Sequence, residues 1–212
     1  MNTKQSQPDE RQIGMSARQS FVLLALLFLA PLLVAWFVLS GGEGWRPAGT
    51  TNHGTLIQPA RLMDLPGGIQ DRAGKDYTKD SLRGKWTLLQ VGDAGCDAVC
   101  ETNLYKMRQI RLAQGEHMNR VQRLFLVRGD EIPASLNRVL SDYPDMDVVN
   151  LPAEQADHLT SLLRMDQDEG YEEDRVYLVD PLGYLMMYYQ PDADPKGMLM
   201  DLKKLLKYSQ IG

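Results

Sequence analysis

An uninterrupted apolar segment near the N-terminus limits the possible folds of this chain more than any other feature. The segment FVLLALLFLAPLLVAWFVL, from Phe21 to Leu39, contains no charged side chain. At about 1.5 Å per residue, a helix of this length nearly crosses a hydrocarbon core of about 30 Å. We therefore predict one transmembrane helix, with Pro31 tolerated inside the span and Trp36 near its far interface.

A cleaved signal peptide, a buried core helix and an interfacial helix are the alternatives. A signal peptide has a shorter apolar region, about 7–15 residues, followed by a small-residue cleavage site. The segment SGGEGWRPAG that follows contains no such site, so we expect an uncleaved anchor. Basic side chains favour the cytoplasmic flank, and three precede the span whereas the first one after it is Arg46. The N-terminus is therefore predicted to be cytoplasmic and the C-terminal part periplasmic.

These features divide the chain into four parts. We predict a cytoplasmic tail at residues 1–20, the transmembrane helix at 21–39, a Gly- and Pro-containing linker at 40–52 and one folded domain at 53–212. The chain has 23 basic and 28 acidic side chains, and the acidic excess lies in the predicted domain. An acidic domain binds polyanions poorly, so nucleic acid is not expected as a partner.

The predicted domain alternates short apolar runs with amphipathic ones. The runs typical of strands are WTLLQVG, RLFLVRG, DVVNL, RVYLVD and YLMMYYQ, and GTLIQPARLMDLPGG is a weaker candidate for an edge strand. Helical periodicity is found from Cys96 to Ile110 and in residues 133–140, 152–164 and 196–208. This order predicts an α/β fold with parallel strands first and a final hairpin that turns at DPLGY.

The only two cysteines, Cys96 and Cys100, follow the first apolar strand after GDAG, and we expect Cys96 to begin the next helix. Free backbone N–H groups and the helix dipole would then stabilise a thiolate. An i, i+4 pair on a helix has β-carbons about 5–6 Å apart, so closing a disulfide would require some distortion of the turn. The residues alone leave open core packing, a structural disulfide, a redox couple or a two-thiolate metal site.

The segments LRGKWTLLQVGDAGCDAVCETNLYKMRQI and YLVDPLGYLMMYY resemble the Sco/SenC family of membrane-anchored proteins. The resemblance covers residues 52 to the C-terminus and the anchor. It implies a thioredoxin-like fold, a central mixed sheet flanked by helices, and a role in loading copper into cytochrome c oxidase. In that family the two motif cysteines bind copper and can also cycle as a dithiol, which implies both roles for Cys96 and Cys100. The implied partner is an oxidase subunit or another assembly factor.

The sequence departs from the family at the third copper ligand. The family has a histidine shortly before the strand that leads into the hairpin, whereas this chain reads DQDEGYEEDRVYLVD there, with Glu172 or Glu173 near the expected position. A carboxylate is a poor ligand for Cu(I). The three histidines and four of the eleven methionines are the other candidate ligands, and they are expected to have other roles (His53, His117, His158, Met186, Met187, Met198 and Met200). Cu(I) could still bind to two thiolates, whereas Cu(II) is disfavoured.

Dithiol chemistry needs no third ligand, and we expect Cys96 to be the nucleophile and Cys100 the resolving thiol. The chain lacks the C-x-x-C motif of classical thioredoxins, because its two cysteines are separated by three residues. It also lacks their proline before the hairpin strand, where Asp174 and Arg175 precede VYLVD. The predicted function is therefore oxidase assembly, either through Cu(I) handling or through reduction of copper-site cysteines from a disulfide to thiols. A general periplasmic thiol–disulfide oxidoreductase and a non-catalytic scaffold with a structural disulfide are the alternatives, and the sequence does not decide whether the chain is an enzyme.

Acidic residues surround this motif. Asp93 and Asp97 flank Cys96, and capping of the following helix is the role expected of such carboxylates. The run Asp166 to Asp174 is expected to form a solvated loop, and one hypothesis is that it meets a basic patch on a partner.

Overall fold

A computed structural model describes residues 16–40, 51–164 and 174–211, and the chain divides into two compact units between residues 50 and 51. The first unit contains one helix, α1 (Ala17–Ser40), with Pro31 inside it. Within the described residues, it is the single helix long and apolar enough to cross a membrane, from Ala17 to Phe37, by length and composition. The apolar segment is thus helical, as predicted.

The second unit is a six-stranded mixed sheet with helices on both faces. Its strands are β1 (Thr55–Leu62), β2 (Trp86–Asp93), β3 (Val121–Arg128), β4 (Asp147–Leu151), β5 (Val176–Val179) and β6 (Tyr184–Tyr189). Its helices are α2 (Ala98–Leu112), α3 (Ala134–Leu140), α4 (Ala153–Leu163) and α5 (Pro195–Tyr208). All five apolar runs form strands, and the weaker candidate forms the edge strand β1.

The strand order is β1-β6-β5-β2-β3-β4, with β5 and β2 at the centre. The pairs β2–β3 and β3–β4 are parallel, whereas β2–β5, β5–β6 and β1–β6 are antiparallel. The predicted hairpin turns at Asp180, whose side chain accepts hydrogen bonds from the backbone N–H groups of Leu182 and Tyr184 at 2.9 and 2.8 Å. Gly183 has φ +92°, a conformation that costs glycine little. The predicted early parallel and late antiparallel pairings are confirmed.

Two apolar layers bury the faces of the sheet. One layer contains the inward residues of α2, α3 and α5, and the other contains those of α4 together with the segment around β1. Helix α2 contributes Cys100, Leu104, Met107 and Ile110 to the first layer, which confirms the predicted helical stripe from Cys100 onward. The helix thereby holds the second cysteine firmly against the C-terminal end of β2.

Candidate functional site

The cysteine pair lies at the corner between β2 and α2. Strand β2 ends at Asp93 and α2 begins at Ala98, with Asp97 as the N-cap residue in an extended conformation. The prediction that Cys96 begins the helix is wrong, because Cys96 lies outside it at φ +31°. The reason is local: an N-cap residue needs extended backbone angles, so a helix capped by Asp97 cannot include the residue before it.

Cys96 and Cys100 form a disulfide with a Cα–Cα distance of 5.2 Å. This separation lies within the usual range for disulfides. The expectation that closing a disulfide would distort the helical turn assumed that both cysteines were helical. Because Cys96 belongs to the turn before the helix, the bridge closes while the first turn of α2 remains intact.

Two backbone N–H groups at the N-terminus of α2 already have a hydrogen-bond acceptor. The Asp97 carboxylate accepts hydrogen bonds from the N–H groups of Val99 and Cys100, both at 3.0 Å. The capping role expected of Asp97 is therefore confirmed. The expectation that these N–H groups are free to stabilise a thiolate is wrong for Val99 and Cys100, since a carboxylate already binds them.

The disulfide lines a surface cavity of about 280 Å³, which we call the disulfide cavity. Its walls also include three aspartates and two glycines (Asp93, Asp97, Asp174, Gly92 and Gly95). Cys96 is 9% exposed and Cys100 is 2% exposed, so both belong to the edge of the apolar layer. Gly95 and Asp97 are exposed, so the cavity opens to solvent. Of the two cysteines, Cys96 is the more exposed.

A buried polar group connects the disulfide corner to the start of β5. The Gln90 side-chain amide lies 3.5 Å from both the Cys100 carbonyl oxygen and the Asp174 Oδ1 atom. The Asn103 amide donates a hydrogen bond to the Asp174 carbonyl oxygen at 2.6 Å. Asp174 has φ +65°, in the left-handed region. These contacts hold Asp174 against the cavity.

The sequence did not single out Gln90 or Asn103. Both are almost fully buried, at 0% and 1% exposure. A signal was available, because Gln90 interrupts an apolar strand and Asn103 lies next to the apolar stripe of α2. Buried polar side chains are retained where they have a partner to satisfy them.

The histidines do not contribute to the disulfide cavity. The His53 Nδ1 atom lies 3.1 Å from Asp201 Oδ1, at the start of the second unit. The His117 ring lies 3.7 Å from a Glu116 oxygen, and His158 belongs to α4. Among the described residues, no group of three His, Cys, Asp or Glu side chains is placed to hold a metal ion.

The other candidates for a third ligand are also elsewhere or undescribed. Glu172 and Glu173 lie outside the described residues, as does the acidic run except for Asp174. None of the four methionines lines the disulfide cavity. Met187 and Met198 are buried in the apolar layer, as core residues are.

The fold and the cysteine corner agree with a known family. The family model described as the transmembrane-like, thioredoxin-like C-terminal domain matches residues 86–209, more than half of the chain. The chain belongs to this thioredoxin-like family. Its matched region begins with β2 and contains the cysteine corner, the hairpin and α5. The predicted thioredoxin-like fold is thereby confirmed.

Individual relatives of this thioredoxin-like chain are Sco proteins. It is 24% identical over 147 residues to an SCO2-like protein of Rickettsia conorii, covering 63% of this chain and 72% of that protein. The solved structure of ScoI from Bradyrhizobium japonicum with copper bound has a TM-score of 0.53 at 23% identity and covers 66% of this chain and 98% of the other. BsSco, a member of the Sco family of cytochrome c oxidase assembly proteins with a disulfide switch, has a TM-score of 0.53 at 16% identity, covering 73% and 100%. The resemblance to Sco/SenC proteins is confirmed.

Proposed function

We propose that this chain is a membrane-anchored dithiol protein that reduces the disulfide between copper-site cysteines during cytochrome c oxidase assembly, with Cys96 and Cys100 as the reacting residues. The observation that carries the proposal is the Cys96–Cys100 disulfide, which lines a cavity open to solvent. The link to the oxidase is supported by the likeness to Sco proteins. The client is proposed to be an oxidase subunit or another assembly factor.

The two cysteines would have different roles in the reaction. In the reduced protein, the Cys96 thiolate attacks a client disulfide, forming a mixed disulfide and releasing one client thiolate. The Cys100 thiolate then attacks the Cys96 sulfur and releases the second client thiolate. The client gains two electrons and two protons, and the protein returns to the disulfide form. Cys96 suits the first step because it precedes the helix and is the more exposed of the two.

Transfer of Cu(I) is a second candidate function, with copper as cargo. Two sulfurs close enough to form a disulfide are also close enough to bind one soft ion after modest separation, and thiolates suit Cu(I). The other side chains lining the cavity that could bind an ion are carboxylates, which prefer harder ions. Reduced protein should therefore bind one Cu(I) through two sulfurs and bind Cu(II) weakly.

One experiment separates these functions from the alternatives. Cells lacking the chain would be supplied with the wild type, Cys96→Ser, Cys100→Ser or the double variant, and oxidase activity and the thiol state of its copper-site cysteines would be measured. We expect all three variants to lose oxidase activity and to leave those cysteines oxidised. Full activity with the double variant would instead support a scaffold whose disulfide is structural. Restoration by an unrelated periplasmic thiol reductant would support a general oxidoreductase.

Copper handling is tested on the full chain in detergent micelles. Titration of the reduced protein against a Cu(I) chelator should give one bound ion, and either single Cys→Ser variant should weaken binding at least a hundredfold. Loss of oxidase activity without Cu(I) binding would assign the chain to thiol reduction alone.

The proposed orientation places residues 53–212 in the periplasm. It is supported by the basic flank before α1 and by the disulfide, which persists in oxidising compartments. After reduction, a membrane-impermeant maleimide should label both cysteines in intact spheroplasts. Labelling that requires lysis would place the domain on the cytoplasmic side.

A further inference from the structure

A second surface cavity, of about 440 Å³, lies at the other end of β2 from the disulfide, and we call it the Trp86 cavity. Trp86 begins this strand and Asp93 ends it, so at about 3.3 Å per residue the two ends are about 23 Å apart. Pockets that bind small molecules have volumes of about 300–1,000 Å³. The Trp86 cavity is therefore large enough for a small ligand and is separate from the disulfide cavity.

Apolar side chains from the sheet and from α5 form most of the wall of this cavity (Leu56 of β1, Met186 and Met187 of β6, and Leu205 of α5). Leu182 and Tyr208 also line it and are exposed, so the cavity opens to solvent. A molecule that enters replaces contacts with water by contacts with apolar side chains, which is favourable for an apolar molecule.

Trp86 gives the cavity a polar group as well as an aromatic wall. The residue is 5% exposed, its indole Nε1 atom is buried, and no residue in the described part of the chain supplies an acceptor for it. Buried polar groups in native proteins nearly always have a hydrogen-bond partner, and the indole N–H can only donate. Because Trp86 lines the cavity, a bound molecule with an oxygen acceptor can supply that partner.

The charged residues that line the cavity favour a neutral ligand. Asp180 and Asp201 already accept hydrogen bonds from backbone N–H groups, and the Lys204 ammonium donates to the Thr51 hydroxyl. Two carboxylates and one ammonium leave a net negative charge, which repels an anion. A cation would lose its hydration among apolar walls, and both carboxylates that could compensate already have donors.

We infer that the Trp86 cavity binds a neutral, apolar molecule whose carbonyl oxygen accepts a hydrogen bond from the Trp86 indole N–H. This ligand site goes beyond the proposed function, since neither cysteine lines the cavity. The apolar walls supply affinity, and the indole N–H supplies selectivity for the carbonyl group. One hydrogen bond of this kind changes affinity by about fivefold.

The test compares dicyclohexyl ketone with dicyclohexylmethane, which has a CH₂ group in place of the carbonyl. The full chain, with ¹⁵N in its three tryptophans, would be titrated with each compound in neutral detergent and followed by nuclear magnetic resonance. We expect the ketone to move the Trp86 indole proton downfield in a saturable way and the hydrocarbon to cause no downfield shift. The indole signal of Trp36, which belongs to α1, serves as the reference in the same sample and should not show a saturable shift.

Variants assign the selectivity to one N–H group. The affinity of each compound would be measured from the methyl signals of Met186 and Met187. The ratio of the ketone and hydrocarbon affinities should fall about fivefold in Trp86→Phe, and this ratio is independent of how each compound dissolves in the micelles. The matched control is Trp36→Phe, which removes the same group from α1 and should leave the ratio unchanged. Dicyclohexylacetate, an anion of similar shape, should bind at least about tenfold more weakly than the ketone.

Three results would overturn the inference: the absence of a saturable shift at Trp86, equal shifts with the ketone and the hydrocarbon, or an affinity ratio that Trp86→Phe does not change. Binding of dicyclohexylacetate as tight as that of the ketone would overturn the neutral class. If Trp86→Phe does not fold, Trp36→Phe and Trp45→Phe assign the indole signals by elimination, and the comparison of the two compounds on the wild type decides.

Discussion

The contacts of Asp201 allow a quantitative prediction about the start of the second unit. This residue of α5 is 4% exposed, and its Oδ2 atom accepts hydrogen bonds from the backbone N–H groups of His53 and Gly54 at 2.8 and 3.0 Å. The same oxygen accepts from the Tyr189 hydroxyl at 3.2 Å, while Oδ1 lies 3.1 Å from His53 Nδ1. One carboxylate thus joins the beginning of the unit to α5 and β6.

Removing this carboxylate leaves buried donors without acceptors. In Asp201→Ala, the Gly54 N–H and the Tyr189 hydroxyl lose their acceptor in a buried environment, and each such group costs about 1–3 kcal/mol. The free energy of unfolding should therefore fall by about 4 kcal/mol, a large part of the 5–15 kcal/mol typical of a domain.

The amide variant should be much milder. In Asp201→Asn, the amide oxygen can take the place of Oδ2 and accept from all three donors, while the amide nitrogen donates to His53 Nδ1 in its other tautomer. The remaining cost is the loss of charge in the hydrogen bonds, about 1 kcal/mol.

Chemical denaturation of the full chain in neutral detergent, followed by near-ultraviolet circular dichroism, would measure both variants. Asp157→Asn serves as the control for removing an exposed carboxylate and should lie within 0.5 kcal/mol of the wild type, which is about the usual limit for surface substitutions. Equal losses for the alanine and asparagine variants, or a loss below about 1 kcal/mol for alanine, would contradict this assignment of the hydrogen bonds.

Three further predictions concern the cap, two tyrosines and one glycine. Asp97→Ala should lower the free energy of unfolding by about 1 kcal/mol, because Val99 and Cys100 lose their cap, whereas Asp97→Ser should restore most of it; denaturation of both variants measures this. Burial and nearby carboxylates raise the pKa values of Tyr77 and Tyr189 in the folded protein. The contribution of these two neutral hydroxyls to the free energy of unfolding is therefore complete below about pH 10, near the pKa of tyrosine in the unfolded chain. Above about pH 10, ionisation of each tyrosine in the unfolded chain should lower the free energy of unfolding by about 1.4 kcal/mol per pH unit, and Tyr77→Phe or Tyr189→Phe should reduce this slope by that amount. A denaturation midpoint that does not change with pH would contradict this prediction. A Cβ at Gly92 would lie 3.0 Å from the Phe125 ring and 3.6 Å from Cys100 Sγ, so Gly92→Ala should cost about 1–3 kcal/mol, and the further change Phe125→Leu should recover part of that in a double-mutant cycle.

Much of the fold could be predicted because burial leaves a local pattern in the sequence. Mainly apolar runs such as Trp86–Gly92 mark strands that are covered on both faces, and the three- and four-residue steps from Cys100 to Ile110 mark one helix face. The hairpin at Asp180–Tyr184 was predictable for the same reason, since its turn chemistry lies within five adjacent residues.

The local details of the site were predicted less well because two local signals compete there. The apolar spacing extends back to Cys96, whereas the carboxylate of Asp97 favours beginning the helix after itself. The cap determines the outcome because its hydrogen bonds satisfy two N–H groups that otherwise have no partner. The spacing of apolar residues alone could not reveal where α2 begins. It also led to the expectation that Cys96 and Cys100 are an i, i+4 pair within the helix, which the structure does not have.

The sequence by itself determined the apolar helix near the N-terminus, the order of strands and helices, and the position of both cysteines at the end of a central strand. Only the tertiary structure decided that Cys96 and Cys100 are bonded, that Asp174 closes the cavity beside them, and that Asp201 holds the start of the domain. The physical reason is distance along the chain: periodicity records which residues are buried, but it does not record which remote residue each one meets. The Asn103–Asp174 contact beside the disulfide joins residues 71 positions apart and the His53–Asp201 contact joins residues 148 apart, so these pairs exist only after the sheet has formed.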